Sequence, residues 1–285
     1  MLCVKPDRPV DPIILAILRE VDQLTGELAL PYFVAGATAR DILLTNVYGM
    51  NTGRATRDVD FAVAVESWQQ FEAIKARLTA DGRFNASKNT LQRLYYRISA
   101  EGPGYPLDII PFRGVEQPRN TVAWPPEMKV LINVVGYEEA LAAAMQVQVD
   151  GGLVVRVASL PGLAVLKLFA WLDRGDEDSK DAQDLVTLFR QYADAGNLDR
   201  LYGDEIGLLE AADYNLDLAG PRLLGRDVST IAAPQTLGQL RSLFSEPTIA
   251  DRLVTHMAKM MRGVDDPVIA AERLFEQFKV GLSGK

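Results

Sequence analysis

The sequence is poor in the residues that most often carry metal and redox chemistry. Its 285 residues include one cysteine, Cys3, and one histidine, His256. A single cysteine excludes an internal disulfide and a zinc site built from several cysteines. A single histidine argues against a histidine-rich metal site and against a serine–histidine relay. Chemistry in this chain is therefore expected to depend on carboxylates, lysines and arginines.

Long apolar runs and excess positive charge are also missing. No segment approaches the roughly 18 consecutive apolar residues of a membrane span, and the first residues do not have the pattern of a signal peptide. We therefore expect no membrane association and a cytoplasmic location. The net charge of −8 argues against a surface that is basic throughout, but it leaves room for a local basic patch.

The spacing of apolar residues changes near residue 158. Before it, amphipathic helices such as 12–27 alternate with strand-like segments, including "PYFVAG" and "YPLDIIPF", and residues 119–127 are predicted to form a loop. After it, the apolar segments have helical spacing, and several carry a proline near the start, which suits a first turn. We therefore predict an α+β fold, with a mixed-sheet domain over 1–158 and an all-helical region over 159–285.

Two aspartates open the most apolar strand candidate. Asp58 and Asp60 directly precede the apolar run 61–65, and residues two apart in a strand point to the same face. Neighbouring carboxylates repel, and burial increases that cost. A divalent cation would remove both penalties, and Mg²⁺ binds one or two carboxylates together with substrate phosphates.

A third carboxylate lies in another predicted strand. Asp108 is the only charged residue in "YPLDIIPF", where an unpaired aspartate would be costly. We predict that it joins Asp58 and Asp60 in a two-metal site for phosphoryl or nucleotidyl transfer. The structural alternatives are a solvated strand end for the aspartate pair and a turn position for Asp108.

The segment "FVAGATARD" predicts a phosphate-binding turn. A strand, a glycine and small residues lead into a helix, whose first N–H groups are available to phosphate. Gly36 would let a triphosphate approach the backbone, with Ala37 beside it and Thr38 donating its hydroxyl. Arg40 and Asp41 are interpreted as a local structural pair.

Together these residues resemble the nucleotidyltransferase superfamily with the DNA-polymerase-β-type fold. Its pattern is a strand, a Gly-Gly or Gly-Ser turn, a helix, Asp-x-Asp on the next strand and a third aspartate. The segment "LKLFAWLDRGDEDSKDAQDLVTL" is similar to the lysine, arginine and Lys-Asp-x-x-Asp-Leu segments of AbiEii/MenT-like nucleotidyltransferases, which are often toxins of toxin–antitoxin pairs. The residues that correspond to these segments are Lys167, Arg174, Lys180, Asp181 and Asp184. The pattern departs at Ala37, where a second glycine would stand.

The resemblance implies a polymerase-β-like core and a Mg²⁺-dependent enzyme that moves an NMP from an NTP, such as ATP, to an acceptor hydroxyl. The implied catalytic residues are Asp58, Asp60, Asp108, Lys167 and Asp184, of which the three strand aspartates would hold two Mg²⁺ ions. The implied nucleotide contacts are Gly36, Ala37, Thr38, Arg57, Lys167 and Arg174. The helical region would thus contribute lysine and aspartate side chains to the cleft. An inter-helix salt bridge is the alternative for Lys167 and for Asp184.

The acceptor stays open at this stage. The resemblance suggests a tRNA 3′ end as acceptor and an antitoxin protein as partner. Five arginines are candidates for a local basic rim that would bind RNA: Arg54, Arg57, Arg93, Arg97 and Arg113. A protein hydroxyl and an antibiotic-type small molecule are alternative acceptors. A non-catalytic nucleotide- or metal-binding interaction module is a further alternative, which the departure at Ala37 favours.

Overall fold

A mixed eight-stranded sheet organises the first part of the chain. The computed structural model describes residues 1–53, 56–99, 102, 104–261 and 263–284. The chain divides into two units, Met1–Ser159 and Leu160–Lys285, and every strand in the described ranges belongs to the first. The predicted α+β fold class, a mixed sheet with helices followed by a helical region, is confirmed.

The strands are short, and most of them neighbour a strand that is distant in sequence. They are β1 (Leu2–Cys3), β2 (Tyr32–Ala35), β3 (Val59–Val65), β4 (Phe84–Ala86), β5 (Arg93–Tyr96), β6 (Tyr105–Arg113), β7 (Thr121–Ala123), β8 (Leu131–Asn133), β9 (Met145–Asp150) and β10 (Leu153–Val157). The sheet has the order β1-β9-β10-β2-β3-β6-β5-β4, and β7 and β8 form a separate hairpin. The predicted loop over 119–127 therefore contains one short strand, β7.

Two of the four α-helices that the described residues form in the first unit begin at a capping side chain. The four are α1 (Pro12–Glu27), α2 (Gly36–Asp41), α3 (Trp68–Thr79) and α4 (Tyr137–Ala142). Asp11 caps α1 by accepting the N–H of Ile13 at 2.7 Å, and Ser67 caps α3 by accepting the N–H of Gln70 at 3.3 Å. A polar side chain at this position satisfies an N–H group that the helix itself leaves without a partner.

The helix that follows the glycine turn widens in its second half. After Asp41 it continues as a π-helical segment, Ile42–Val47, and the N–H of Tyr48 donates to the carbonyl of Leu43 at 2.9 Å. Leu43 and Leu44 are fully buried, as their spacing predicted. Apolar spacing alone did not indicate this hydrogen-bond pattern, because π-helical turns are rare.

The strand registers place the predicted site residues in one row. β2 and β3 are antiparallel, with Ala35 opposite Asp60. β3 and β6 are parallel, with Asp60 opposite Asp108. β5 and β6 are antiparallel, with Arg93 opposite Asp108. Directly paired residues on neighbouring strands leave the same face of a sheet, so Asp60, Asp108 and Arg93 share a face.

The opposite face of the same strands supplies the core. Val59 and Phe61, which alternate with Asp60, are at most 1% exposed, and so are Leu107 and Ile109 on either side of Asp108. A one-residue slip of either strand would exchange aspartate for these apolar side chains. The hydrophobic core therefore fixes the register that brings the two carboxylates together.

The second unit consists of helices in the described residues. They are α5 (Leu160–Arg174), α6 (Lys180–Gln191), α7 (Leu198–Leu201), α8 (Ile206–Glu210), α9 (Leu216–Ile231), α10 (Pro234–Phe244), α11 (Pro247–Ala258) and α12 (Pro267–Leu282). Prolines begin α10, α11 and α12, as predicted. Pro221 does not begin a helix, because α9 starts five residues earlier behind the Asn215 cap. No helix of the described residues is long and apolar enough to cross a membrane.

Two glycines allow α9 and α12 to pack backbone against backbone. A Cβ at Gly225 would lie 2.1 Å from the carbonyl oxygen of Phe278, and a Cβ at Gly281 would lie 1.9 Å from that of Arg222. Neither backbone atom can move away without separating the helices. The core beside this crossing includes Phe189 and Phe278, whose rings stack with centroids 4.9 Å apart.

Gly281→Ala is expected to destabilise the second unit, because the added methyl group must push the two helices apart. Overpacking of this kind costs about 1–3 kcal/mol, measurable as a lower midpoint of denaturant unfolding. The matched control is Gly238→Ala in α10, where a Cβ meets nothing within 4 Å. That change should stabilise the fold by about 0.5–1 kcal/mol. Equal stability of Gly281→Ala and wild type would contradict the close crossing.

Candidate active site

The Asp60 carboxylate fills the space beside Gly36 that a side chain would occupy. Asp60 lies level with the turn into α2, because it pairs with Ala35. Gly36 has a φ of +60°, and a Cβ there would lie 1.8 Å from Asp60 Oδ2. Another residue at position 36 would be strained and would collide with the carboxylate. β3 therefore delivers Asp60 to the start of α2.

Two threonine hydroxyls hold Asp58. Thr38, which is 1% exposed, donates to the backbone carbonyl of Asp58 at 2.6 Å, and Thr56 donates to Asp58 Oδ1 at 2.5 Å. The first bond ties α2 to the segment that enters β3, and the second orients the carboxylate. The Thr38 hydroxyl thus donates to a protein carbonyl inside the fold, and its predicted contact with phosphate stays a prediction.

Further contacts surround Thr56. Its N–H donates to Asp41 Oδ2 at 3.3 Å, and the hydroxyl of Tyr105 donates to its carbonyl at 3.3 Å. Asp41 also accepts from Arg40 Nη2 at 2.7 Å, which confirms the predicted local pair. Burial, aided by nearby carboxylates, raises the pKa of Tyr105 to about 12, so its hydroxyl remains a donor at neutral pH.

Asp108 has a partner that the sequence did not indicate. Arg93 Nε donates to Asp108 Oδ1 at 2.7 Å, and Arg93 Nη2 donates to Oδ2 at 2.6 Å. The Asp108 side chain is 13% exposed and that of Arg93 is 29% exposed. A two-pronged guanidinium–carboxylate pair of this kind is among the stronger polar contacts in proteins. The buried carboxylate is therefore neutralised by a protein cation.

The three predicted metal ligands have different surroundings. Asp60 is half-buried on β3, and Asp58 is half-buried just before that strand begins. Mg²⁺ needs no more than one or two carboxylates when substrate phosphates supply other oxygens. Asp108 differs, because both of its oxygens accept from Arg93. Within the described ranges no three Asp, Glu, His or Cys side chains are grouped closely enough to hold a metal ion. Asp108 thus has a protein cation as its partner, and its role as a metal ligand stays a prediction.

The predicted phosphate turn keeps its backbone groups available. The residue before α2, Ala35, has no side chain that could cap the helix, and no side-chain cap is found there among the described residues. Ala37 is 7% exposed, so its methyl group belongs to the core and does not crowd the turn. Gly36 and Ala37 remain predicted backbone contacts to phosphate, and exposed Arg57 remains a predicted side-chain contact.

Most of the predicted basic rim has other partners. Arg93 pairs with Asp108, and Arg113 donates to both carboxylate oxygens of Glu138, at 2.6 and 3.0 Å. Arg97 is exposed and donates to the carbonyl of Gly82 at 3.5 Å. Arg54 lies outside the described residues. The positive charges of Arg93 and Arg113 are therefore neutralised locally, and the RNA-binding rim stays a prediction.

In the second unit, Lys167 lies between two carboxylates. Its Nζ is 2.9 Å from Asp181 Oδ1 and 2.7 Å from Asp184 Oδ2, and Arg174 Nε is 2.8 Å from Asp181 Oδ2. The lysine is 12% exposed and the two aspartates at most 7%, whereas Arg174 is 59% exposed. α5 and α6 are thus joined by the inter-helix salt bridge that the sequence left open, while Lys180 pairs separately with Asp178.

Mutual charge stabilises this cluster in its ionised form. Burial alone would lower the pKa of Lys167, but the charges of Asp184 and Asp181 outweigh it and raise the pKa. Burial alone would raise the pKa of Asp181, but Lys167 and Arg174 outweigh it and lower the pKa. The catalytic roles of Lys167 and Asp184 and the nucleotide contact of Arg174 stay predictions, since these residues lie in the second unit and Asp58 and Asp60 in the first.

A family comparison decides the class of protein. Residues 23–278 match the model of the nucleotidyl transferase AbiEii toxin family of type IV toxin–antitoxin systems. The chain belongs to this family. It is therefore a nucleotidyltransferase, and the resemblance seen in its sequence is confirmed. No curated protein sequence is significantly similar to the chain.

Solved structures of similar nucleotidyltransferase proteins are distant in sequence. An antigenic nucleotidyltransferase-like protein from Paracoccidioides brasiliensis is 14% identical, with 73% of this chain and 93% of that chain covered and a TM-score of 0.41. The antibiotic-resistance factor ANT(2″)-Ia is 16% identical over 72% of this chain and 99% of that chain, with a TM-score of 0.36. The Thermotoga maritima CCA-adding enzyme complexed with tRNA is 14% identical over 96% and 82%, with a TM-score of 0.25.

Sequence patterns did not reveal the residues that position the aspartates. Thr56, Tyr105 and Arg93 were not assigned to the site, and Thr38 was given a different partner. One signal was available for Arg93, because "QRLYYRIS" and "YPLDIIPF" read as a hairpin across a Gly/Pro turn, and antiparallel pairing places an arginine of one strand opposite an aspartate of the other. No comparable signal identifies Thr56 or Tyr105, whose contacts depend on loop conformation.

Gly36→Ala is expected to reduce nucleotidyl transfer by at least about 100-fold, because a methyl group would displace the Asp60 carboxylate and small displacements of reacting groups have effects of that size. The measurement is the rate at which label leaves an NTP labelled in the α-phosphate and reaches RNA, protein or a small acceptor. The control is Gly82→Ala, which has a φ of +74° but whose Cβ would meet only Arg97 Nη1, at 4.0 Å. Equal loss in both variants would point to backbone strain and not to Asp60.

Asp181→Asn is expected to lower stability at pH 6 by about 3 kcal/mol or more, because it removes one partner from a buried ion pair. The lowered pKa of Asp181 means that its contribution is complete well above the ordinary value of 3.8 and is lost as the pH falls through the folded-state value. The difference in unfolding free energy between the variant and the wild type should therefore shrink as the pH falls from 4 to the acid limit of folding. Asp176→Asn, from an exposed pair with Arg252, should show a small gap at every pH. A pH-independent gap for Asp181→Asn would contradict the charge argument.

Proposed function

We propose that the protein moves an NMP from an NTP to an acceptor hydroxyl, with Asp58 and Asp60 binding Mg²⁺ next to the triphosphate. The observation that supports this most directly is the packing of the Asp60 carboxylate against Gly36. It places a carboxylate at the start of α2, where helix N–H groups are oriented toward an anion. Mg²⁺ would neutralise the triphosphate between these two elements.

The chain's own residues perform the positioning in this proposal. Thr38 and Thr56 hold Asp58, Gly36 leaves room for Asp60, and the free N–H groups of α2 orient the phosphates. The acceptor oxygen then forms a bond to the α-phosphorus in line with the bond to the leaving pyrophosphate, which breaks, and the acceptor proton passes to solvent. Positioning and charge neutralisation account for most of the rate in such reactions.

We infer from the family a role as a toxin that is controlled by a cognate antitoxin, with ATP or another NTP as donor. We take the 3′ end of tRNA as the first acceptor to test, because it offers a free hydroxyl beside phosphates that Arg57 can bind. Such a substrate would place the activity in the cytoplasm. A protein hydroxyl or a small molecule is the alternative acceptor, and the same assay detects label on either.

Asp60→Asn is expected to lower the rate of transfer by at least about 100-fold. Effects of that size follow when charge at a reacting phosphate is left uncompensated. The measurement uses each NTP labelled in the α-phosphate, Mg²⁺ and purified total tRNA, followed by separation of RNA, protein and small molecules. Expression of the wild-type chain should arrest growth, and Asp60→Asn should relieve the arrest. The control is Asp81→Asn, from an exposed pair with Arg83, which should leave both readouts unchanged.

If label appears on protein or on a small molecule but not on tRNA, nucleotidyl transfer is confirmed and the proposed tRNA acceptor is wrong. Absence of transfer from all four nucleotides to every fraction would remove the proposed reaction. Full activity of Asp60→Asn would remove the assignment of the site.

A further inference from the structure

We propose that Arg93 takes the place of a second metal ion, so that this active site binds a single divalent cation. The inference rests on the proposed function for the cation that Asp58 and Asp60 hold. It adds a positioning role for Arg93, a residue that was first considered as part of an RNA-binding rim.

The first argument is the row of paired residues across the sheet. Asp108 lies between Asp60 on one neighbouring strand and Arg93 on the other, in direct register with both. Neighbouring strands are about 4.8 Å apart, so two carboxylates and one guanidinium are fixed side by side by backbone pairing. Arg93 is thus held in place by the sheet and not by a flexible loop.

The second argument is the occupancy of Asp108. Its two oxygens accept from two different nitrogens of one guanidinium, at 2.7 and 2.6 Å. A cation at Asp108 would have to share or displace these donors. The bond to Asp108 is also the main reason why the pKa of Arg93 is raised, so the guanidinium keeps its charge at any working pH.

The third argument is charge. The three aspartates carry three negative charges, and the guanidinium together with one divalent cation supplies three positive charges. Arg93 thus neutralises Asp108 without a second metal ion, and the divalent cation is left to Asp58, Asp60 and the triphosphate. Arginine suits this task because its planar fork matches a carboxylate and it does not lose its proton.

The test is the number of Mn²⁺ ions bound per chain in the presence of a non-hydrolysable NTP analogue, counted from the free Mn²⁺ signal in electron paramagnetic resonance. We expect one ion for the wild type and one for Asp108→Asn. We expect two for Arg93→Ala, because the variant frees the Asp108 carboxylate, and one again for Arg93→Ala combined with Asp108→Asn. Arg97→Ala is the control arginine, which has no carboxylate partner among the described residues, and should bind one.

The possible outcomes separate the inference from the proposed function. Two ions on the wild type, with one lost in Asp108→Asn, would overturn the role of Arg93 while supporting the enzyme. No bound Mn²⁺ on the wild type would overturn the proposed metal site itself. One ion on folded Arg93→Ala would show that the guanidinium does not exclude the second cation. If Arg93→Ala does not fold, the inference can still be tested with Arg93→Lys and with the wild type and Asp108→Asn. Each of these proteins is expected to bind a single Mn²⁺ ion.

Discussion

The site depends on one steric constraint, the contact between the Asp60 carboxylate and the bare α-carbon of Gly36. The contact requires a left-handed glycine at the turn and an aspartate directly opposite Ala35 on the next strand. Either requirement alone is common, but together they connect the start of a helix to an acidic strand. The buried side chains on the other face of β3 keep the register, so the hydrophobic core maintains the geometry on which the chemistry depends.

Around this contact, polar side chains hold the aspartates so that they do not repel one another. Thr38 and Thr56 bond to Asp58, and Arg93 neutralises Asp108. Each donor satisfies an acceptor that would otherwise be buried without a partner. The acidic row is therefore stable before substrate arrives, and a preorganised arrangement of this kind favours electrostatic catalysis. The Lys167 cluster follows the same principle in the second unit, where two buried carboxylates surround one buried ammonium group.

Local sequence patterns predicted the helices and strands well, but they predicted poorly which side chains contact one another. The helix over 12–27 and the strand around Asp108 were both predictable, because periodicity acts over a few residues. β7 was missed, since a three-residue strand surrounded by prolines carries little signal. The contact of Thr38 with the carbonyl of Asp58 joins residues twenty apart in sequence, and no local pattern indicated it.

By itself, the sequence determined the class of fold and the presence of an acidic nucleotidyltransferase motif, because residue type and spacing encode strand faces and tight turns directly. The tertiary structure decided which groups each aspartate meets. It pairs Arg93 with Asp108 and Lys167 with Asp184. Such pairings depend on strand register and helix packing, which bring together residues that are far apart in the chain, and no local pattern specifies a contact of that kind.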